Sequence, residues 1–428
     1  MLGKVFEKMC LEMNLSTTLR YMYKYYYLLI ISSLFWTCSE AQTPSTNAPI
    51  QTRVSDSKLA TGSQRMDLYL PDLQGKRVAI VGNQTSRIGQ THLVDTLISK
   101  GINVVKVFAP EHGFRGDAGA GETIRDGKDS KTGLPLISLY GKNKKPNAAM
   151  LVDVDVIVFD IQDVGARFYT YISTMHYVME AAAENKKQVI VLDRPNPNGF
   201  YVDGPKLDLK YKSFVGMHPI PVVHGCTIGE LALMINGEKW LAGEIVCDLK
   251  VISCDNYNHS DLYSLPIAPS PNLPNMASIY LYPSLCWFEG TVVSVGRGTE
   301  LPFQSIGYPG NKTGKFHFTP KDIFGIVTDP PHEGKECTGH NLKEFGDFYI
   351  TASGQIYLDW IVGMYESASD KSKFFNSSDF FDKLAGSDVM RKQIIAATSM
   401  EDIRKSWQSD LRTYKAMRKK YLLYEDFE

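Results

Sequence analysis

Paired cysteines, nucleotide-binding loops, long apolar runs and a net charge are all missing from this 428-residue chain, and each absence removes a class of function. Lys and Arg number 46 against 47 acids, a formal net charge of −1, so no global field draws the chain to nucleic acid or an anionic membrane surface. Beyond the first forty or so residues the cysteines are Cys226, Cys247, Cys254, Cys286 and Cys337, an odd set without Cys-x-x-Cys spacing. A disulfide scaffold and a zinc site are therefore not expected in a chain large enough to need no staples. Gly82-Asn-Gln-Thr-Ser86 lacks the Gly-x-Gly-x-x-Gly spacing that lets backbone approach a pyrophosphate, and no Gly-x-x-x-x-Gly-Lys-Ser/Thr cradle occurs. No Gly-x-Ser-x-Gly elbow occurs either, so serine acyl chemistry has no anchor.

The first residues differ from the rest. Arg20 and Lys24 precede the apolar run Tyr25 to Trp36, too short to span a bilayer comfortably and typical of an export leader over residues 1–41. Cleavage after Ala41 and lipidation at Cys38 are the two ways such a leader is processed, giving a periplasmic protein or an outer-membrane lipoprotein. Residues 42–65, rich in Thr, Ser, Gln and Pro, read as a flexible tether.

From Met66 short apolar runs alternate with helical patterns: Arg77 to Val81, then His92 to Lys100; Asn103 to Phe108; Val156 to Asp160, then Tyr171 to Glu184; Gln188 to Leu192. Strand, helix, strand repeated predicts an α/β fold with a doubly wound parallel sheet. Pro221 to Val223 reads as another strand, and Thr227-Ile-Gly-Glu230 as a capping box opening a helix to about Leu241. The Pro-rich stretch Leu265 to Pro274 marks a boundary, so residues 66–265 are expected to form the sheet domain and 266–428 a smaller α+β domain completing a cleft. In that second part, Thr291 to Val295 and Ile323 to Thr328 read as strands, and Gly354 to Ser367 and a basic C-terminal segment as helices.

Ligands of open α/β sheets bind outside the carboxyl ends of the strands. Four loops lie there: Gly82 to Ser86, Ala109 to Gly116, Asp160 to Tyr171 and Asp193 to Gly199. Together they carry carboxylates, arginines, tyrosines and amides, the groups of a site that binds sugars or acids and works by general acid catalysis. Glu111, between Pro110 and His112, is the leading acid. Asp160 and Asp163 stand one turn apart after a strand, near Arg167. Tyr169 and Tyr171 offer hydroxyls, while Asn83, Asn196 and His224 are further polar candidates. His112, Asp160 and His224 lack the spacing of a metal site, so neither a metal nor another cofactor is expected.

Five segments in order, Phe108 to Gly116, Phe159 to Tyr171, Leu192 to Gly199, Pro269 to Pro274 and Gly296 to Phe303, resemble the NamZ-type exo-β-N-acetylmuramidases, long catalogued as a domain of unknown function. The resemblance runs from about Met66 to the C-terminus. It implies a Rossmann-like domain, a smaller C-terminal domain and a cleft between them. It implies hydrolytic release of N-acetylmuramic acid from non-reducing ends of peptidoglycan-derived glycans of the MurNAc-GlcNAc type. It implies Glu111 as the acid and Tyr169 as its assistant. The second group is left to Asp160 or Asp163 ahead of Glu300. Because the sugar carries a lactyl carboxylate that a guanidinium grips in bidentate fashion, Arg115, Arg167, Arg194 and Arg297 are the expected anchors. Two other readings stay open: a non-catalytic envelope protein that binds muropeptides, and a metal-dependent amidase or deacetylase.

Overall fold

The computed structural model describes residues 58–111, 113–115, 126–141, 143–346, 348–376 and 379–428. The leader, most of the expected tether and His112 lie outside the described residues.

Seven strands form the main sheet: β1 (Arg77–Gly82), β2 (Asn103–Ala109), β3 (Gly127–Lys128), β4 (Pro135–Ser138), β5 (Val156–Asp160), β6 (Gln188–Leu192) and β7 (Asp248–Ile252). Their order across the sheet is β3-β4-β2-β1-β5-β6-β7, parallel throughout except for the antiparallel β3–β4 pair at one edge. The chain winds outward from β1 through β2 to β4, then returns to lay β5 beside β1, so the winding direction switches between those two strands.

The central strands are apolar at successive positions rather than alternate ones because both faces are covered. Val78 and Ile80 of β1 face a cluster with Leu93, Val94 and Leu97 of helix α1 (Leu93–Ser99). Ala79 and Val81 face the opposite cluster, built with Ile172 and Met175 of α2 (Tyr171–Glu184) and Leu231 and Ile235 of α3 (Ile228–Gly237). The reciprocal capping box Thr227–Glu230 opens α3 as its spacing predicts, but the helix ends at Gly237 rather than near Leu241.

The rest of the chain holds α4 (Met276–Leu285), a three-stranded antiparallel sheet of β8 (Ser305–Tyr308), β9 (Phe316–Phe318) and β10 (Cys337–Asn341) in the order β8-β10-β9, then α5 (Asp359–Ser367), α6 (Phe380–Ala385) and α7 (Met400–Arg418). The apolar cluster under α2 continues into Trp287, Phe303 and Trp360 of this region. Helix α7 returns to the sheet domain, where Tyr414 donates to the His224 carbonyl at 2.7 Å and Arg418 to the Gly225 carbonyl.

Several local expectations fail. Pro221 to Val223 makes only isolated bridges to Ala166 and Asp203, Thr291 to Val295 bridges Phe375 and Gly307 at single points, and Ile323 closes a turn onto Val327. Each is β-rich in composition but pairs with a neighbour at single residues rather than along its length. The helix expected from Gly354 begins at Asp359, since Gly354 takes a left-handed conformation that ends the preceding turn. Ordered packing also begins before Met66: Ala60 bridges Asp255, and Thr61 and Ser63 are buried.

His92 caps α1, accepting from the Val94 amide on Nδ1 and contacting the Asn83 carbonyl with Nε2 at 2.9 Å. Burial pushes its pKa down to about 4 from the usual 6.5. The unfolded chain thus binds the proton more readily between those values, so His92 contributes stability that is full above pH 6.5 and fades as pH falls toward 4. The stability difference between wild type and His92→Gln should shrink by about 3 kcal/mol over that window in urea titrations at stepped pH. A difference that does not change with pH would contradict the buried neutral imidazole.

Candidate active site

Loops at the carboxyl edge of the sheet meet the region after β7 around a cavity of about 550 Å³. Glu111 stands at its wall, half-buried, on the turn that follows β2. The first turn of α2 holds it there. Thr170 Oγ1 donates to Glu111 Oε2 at 3.3 Å, and the Tyr171 hydroxyl donates to the Glu111 carbonyl at 3.3 Å. Tyr171 in turn accepts from Asn83 Nδ2 at 3.0 Å, and Asn83 is fixed through its Oδ1 by the amide and hydroxyl of Thr85.

Phenols surround this acid. Tyr140, on the loop after β4, is raised above an ordinary phenol pKa by burial and then by the charge of Glu111 and a hydrogen bond to it. Tyr171 is raised by burial and by Glu111, and Tyr169 chiefly by burial. All three remain protonated donors at neutral pH. Tyr169, Tyr171 and Tyr282 meet edge to face at 4.9 and 5.8 Å and form an aromatic wall continued by Phe168 and Phe303.

The Pro-rich stretch after β7 is a strap across the site. Tyr169 donates to the Pro269 carbonyl at 2.9 Å, and Gln84 to the carbonyls of Ala268 and Pro269 at 3.1 and 3.2 Å. Beyond the strap, the short turn Cys286–Gly290 that follows α4 supplies Glu289, a second carboxylate at the cavity. Arg297 Nε donates to Glu289 Oε1 at 2.6 Å while its guanidinium lies over the Phe303 ring, 4.9 Å from the centroid.

Of the residues singled out in the sequence, Glu111, Tyr169, Tyr171 and Arg297 line this cavity, and Asn83 stands directly behind Tyr171. Others do not reach it. Asp160 is fully buried in a bidentate pair with Arg194, at 2.6 and 3.0 Å, and Ser86 hydrogen-bonds its carbonyl. Asp163 accepts from the Gly165 amide at 2.7 Å and lies 3.7 Å from His224, whose Nδ1 accepts from the Cys226 amide. Arg167, expected to hold a substrate acid group, is fully buried and gives its guanidinium to the carbonyls of Pro205, Ile220 and Leu384, tying α6 to the sheet domain. Arg115 is committed to Asp129 and Asp95 beside α1. Asn196 bonds the Cys226 carbonyl and the Asn198 amide, packed so closely on Gly165, at φ 78°, that a side chain there would collide with it. Glu300 is exposed and away from the cavity.

The structure adds Tyr140, Lys144, Thr170 and Glu289. Tyr140 obeys the same strand-end rule as the other loops, but β4 begins at a proline and is half-buried at the edge, so its strand carries no strong pattern. Glu289 sits in a short 3-10 turn, where no periodicity marks it. Among the described residues no three His, Cys, Asp or Glu side chains converge as a metal ion would require.

Fold and cavity together define an α/β enzyme whose cavity is lined by carboxyl, aromatic and hydroxyl groups. The chain belongs to the NamZ exo-β-N-acetylmuramidase family: the model of its N-terminal domain matches residues 78–277 and that of its C-terminal domain residues 280–424. It is 41% identical over 390 residues to the peptidoglycan β-N-acetylmuramidase NamZ of Bacillus subtilis, covering 86% of this chain and 92% of that protein. Two crystal structures of DUF1343 family proteins from Bacteroides fragilis are similar. One has 47% identity, a TM-score of 0.78 and coverage of 86% of this chain and 100% of the other. The second has 31% identity, a TM-score of 0.70 and coverage of 86% and 99%.

Asp160 and Arg194 give a stability prediction rather than a catalytic one. Asp160→Asn leaves a buried guanidinium without its counter-charge, and denaturant melts should show a loss of about 3–5 kcal/mol. A variant as stable as wild type would show that the pair does not anchor the strand ends.

Proposed function

We propose that this protein is an exo-acting glycoside hydrolase that releases N-acetylmuramic acid from the non-reducing ends of peptidoglycan fragments, with Glu111 as the proton donor. The observation that carries this reading is a half-buried carboxyl at the cavity wall, fixed by Thr170 and Tyr171 and faced by Tyr140. The printed activity of the Bacillus subtilis relative supports the reaction. Glu111 delivers its proton to the glycosidic oxygen as the bond to the anomeric carbon breaks, and the neutral phenols hold the sugar without competing for that proton. Glu289, oriented by Arg297, takes the proton of the water that adds to the same carbon, in place of the aspartates favoured from the sequence. The leader read at residues 1–41 suits this role, because it delivers the enzyme to the envelope where wall fragments occur, through cleavage after Ala41 or lipidation at Cys38.

Glu111→Gln should lower chromophore release from para-nitrophenyl N-acetyl-β-muraminide about 10²- to 10⁴-fold while thermal melting stays within a few degrees of wild type. Unchanged turnover sinks the assignment of the acid. Wild-type protein that binds the glycoside without cleaving it leaves the muropeptide-binding reading instead. General acid chemistry at Glu111 also predicts an undiminished rate in excess chelator, whereas a metal-dependent amidase or deacetylase would stop.

A further inference from the structure

Among the described residues two cations line the cavity around Glu111, and their surroundings differ. Arg297 is engaged by Glu289 at 2.6 Å and by the face of Phe303. Lys144, on the segment between β4 and β5, holds its ammonium over the Phe214 ring, 4.3 Å from the centroid, and among the described residues has no carboxylate partner. The next residue shows the contrast: Lys145 pairs with Glu180 and Glu184 of α2, each at 2.7 Å. Glu180 and Glu184 are thus taken by Lys145. Lys144 is half-buried as a residue, and a ring face supplies its ammonium with a weaker partner than a carboxylate would. An anionic group on a ligand supplies the stronger one.

The charge inventory points the same way. In the state that donates a proton Glu111 is neutral, which leaves, among the described lining residues, one acid, Glu289, against two cations, Lys144 and Arg297. One carboxylate on the substrate balances the set. The other arginines of the sheet domain considered for that task are unavailable to it, being tied to Asp129 and Asp95, to backbone carbonyls, or to Asp160.

We infer that Lys144 is the specificity-determining residue that meets the carboxylate of the sugar's ether side chain, so that the cavity selects a sugar acid over its neutral analogues. This rests on the muramidase reading and adds to it the residue that distinguishes N-acetylmuramic acid from N-acetylglucosamine. Phe214 sets the position of the ammonium. The flexible stem of Lys144 lets it follow a carboxylate on a rotatable ether, where a rigid guanidinium demands a fixed plane.

Three para-nitrophenyl β-glycosides test this: the N-acetylmuraminide, the same compound with its lactyl carboxylate converted to a primary amide, and the N-acetylglucosaminide. Wild-type kcat/KM should fall about 10- to 100-fold from the first to the second, the range of a charge-assisted contact. Lys144→Met should lower kcat/KM for the acid by the same factor, mainly through KM, and leave the amide and the glucosaminide unchanged. Lys144→Arg should retain most of the preference. Equal losses for Lys144→Met on acid and amide, or no loss on the acid, would overturn the assignment while leaving muramidase activity in place. Failure of the wild type to cleave any of the three would instead strike the reading beneath it.

Discussion

The phenol of Tyr171 stands where three strand ends meet, and its hydrogen bonds to two of the loops there tie them together. It accepts from Asn83 beyond β1 and donates to the carbonyl of Glu111 beyond β2, while its own backbone opens α2 beyond β5. Because the ring is buried, neither bond can be exchanged for one to water at no cost, so the loop carrying the acid is held relative to the sheet rather than left to solvent. Thr170, one residue earlier, then reaches the carboxylate itself. The placement of Glu111 follows from that junction.

A second tier of polar groups supports the junction without touching the cavity. The Asp160–Arg194 pair, the Asn196 turn on Gly165 and the Arg167 clamp onto α6 occupy the same carboxyl edge that the switch-point rule marks for ligands. They satisfy buried backbone and buried charge that converging loops would otherwise leave unpaired. A rim dense in Asp, Arg and Asn thus serves two ends at once: a few side chains face the cavity, and more of them hold the loops that present those few. Pattern alone does not separate the two groups, since both need the same residue types at the same strand ends.

Much of the fold was legible because its signals are local. Val156–Asp160, Tyr171–Glu184 and Gln188–Leu192 form with the boundaries their periodicity predicts, and Thr227 caps α3 with Glu230. The elements that went unread depend on neighbours. β7 reads Asp-Leu-Lys-Val-Ile and becomes a strand because β6 pairs with it along its whole length, while Thr291 to Val295, richer in β-branched residues, pairs with the edge of β8 only at Ser294 and stays irregular. Within the site, Glu111 and Tyr171 lie on marked loops. Glu289 and Lys144 lie on segments with no pattern of their own: Glu289 matters because the chain folds back beyond the strap from Leu265 to Pro274, and Lys144 because the segment between β4 and β5 reaches the same cavity.

Taken alone, then, the order of residues determined the doubly wound sheet, the ends of its central strands and the loop bearing Glu111, since hydrophobic period, capping and turn chemistry act over a few residues. Which polar groups face the cavity was decided only in three dimensions. Burial converts Asp160, Asp163, Arg167 and His224 into internal scaffolding, and long-range packing brings Glu289 and Arg297 to the cavity of Glu111, because desolvation and charge pairing depend on neighbours far away in the chain.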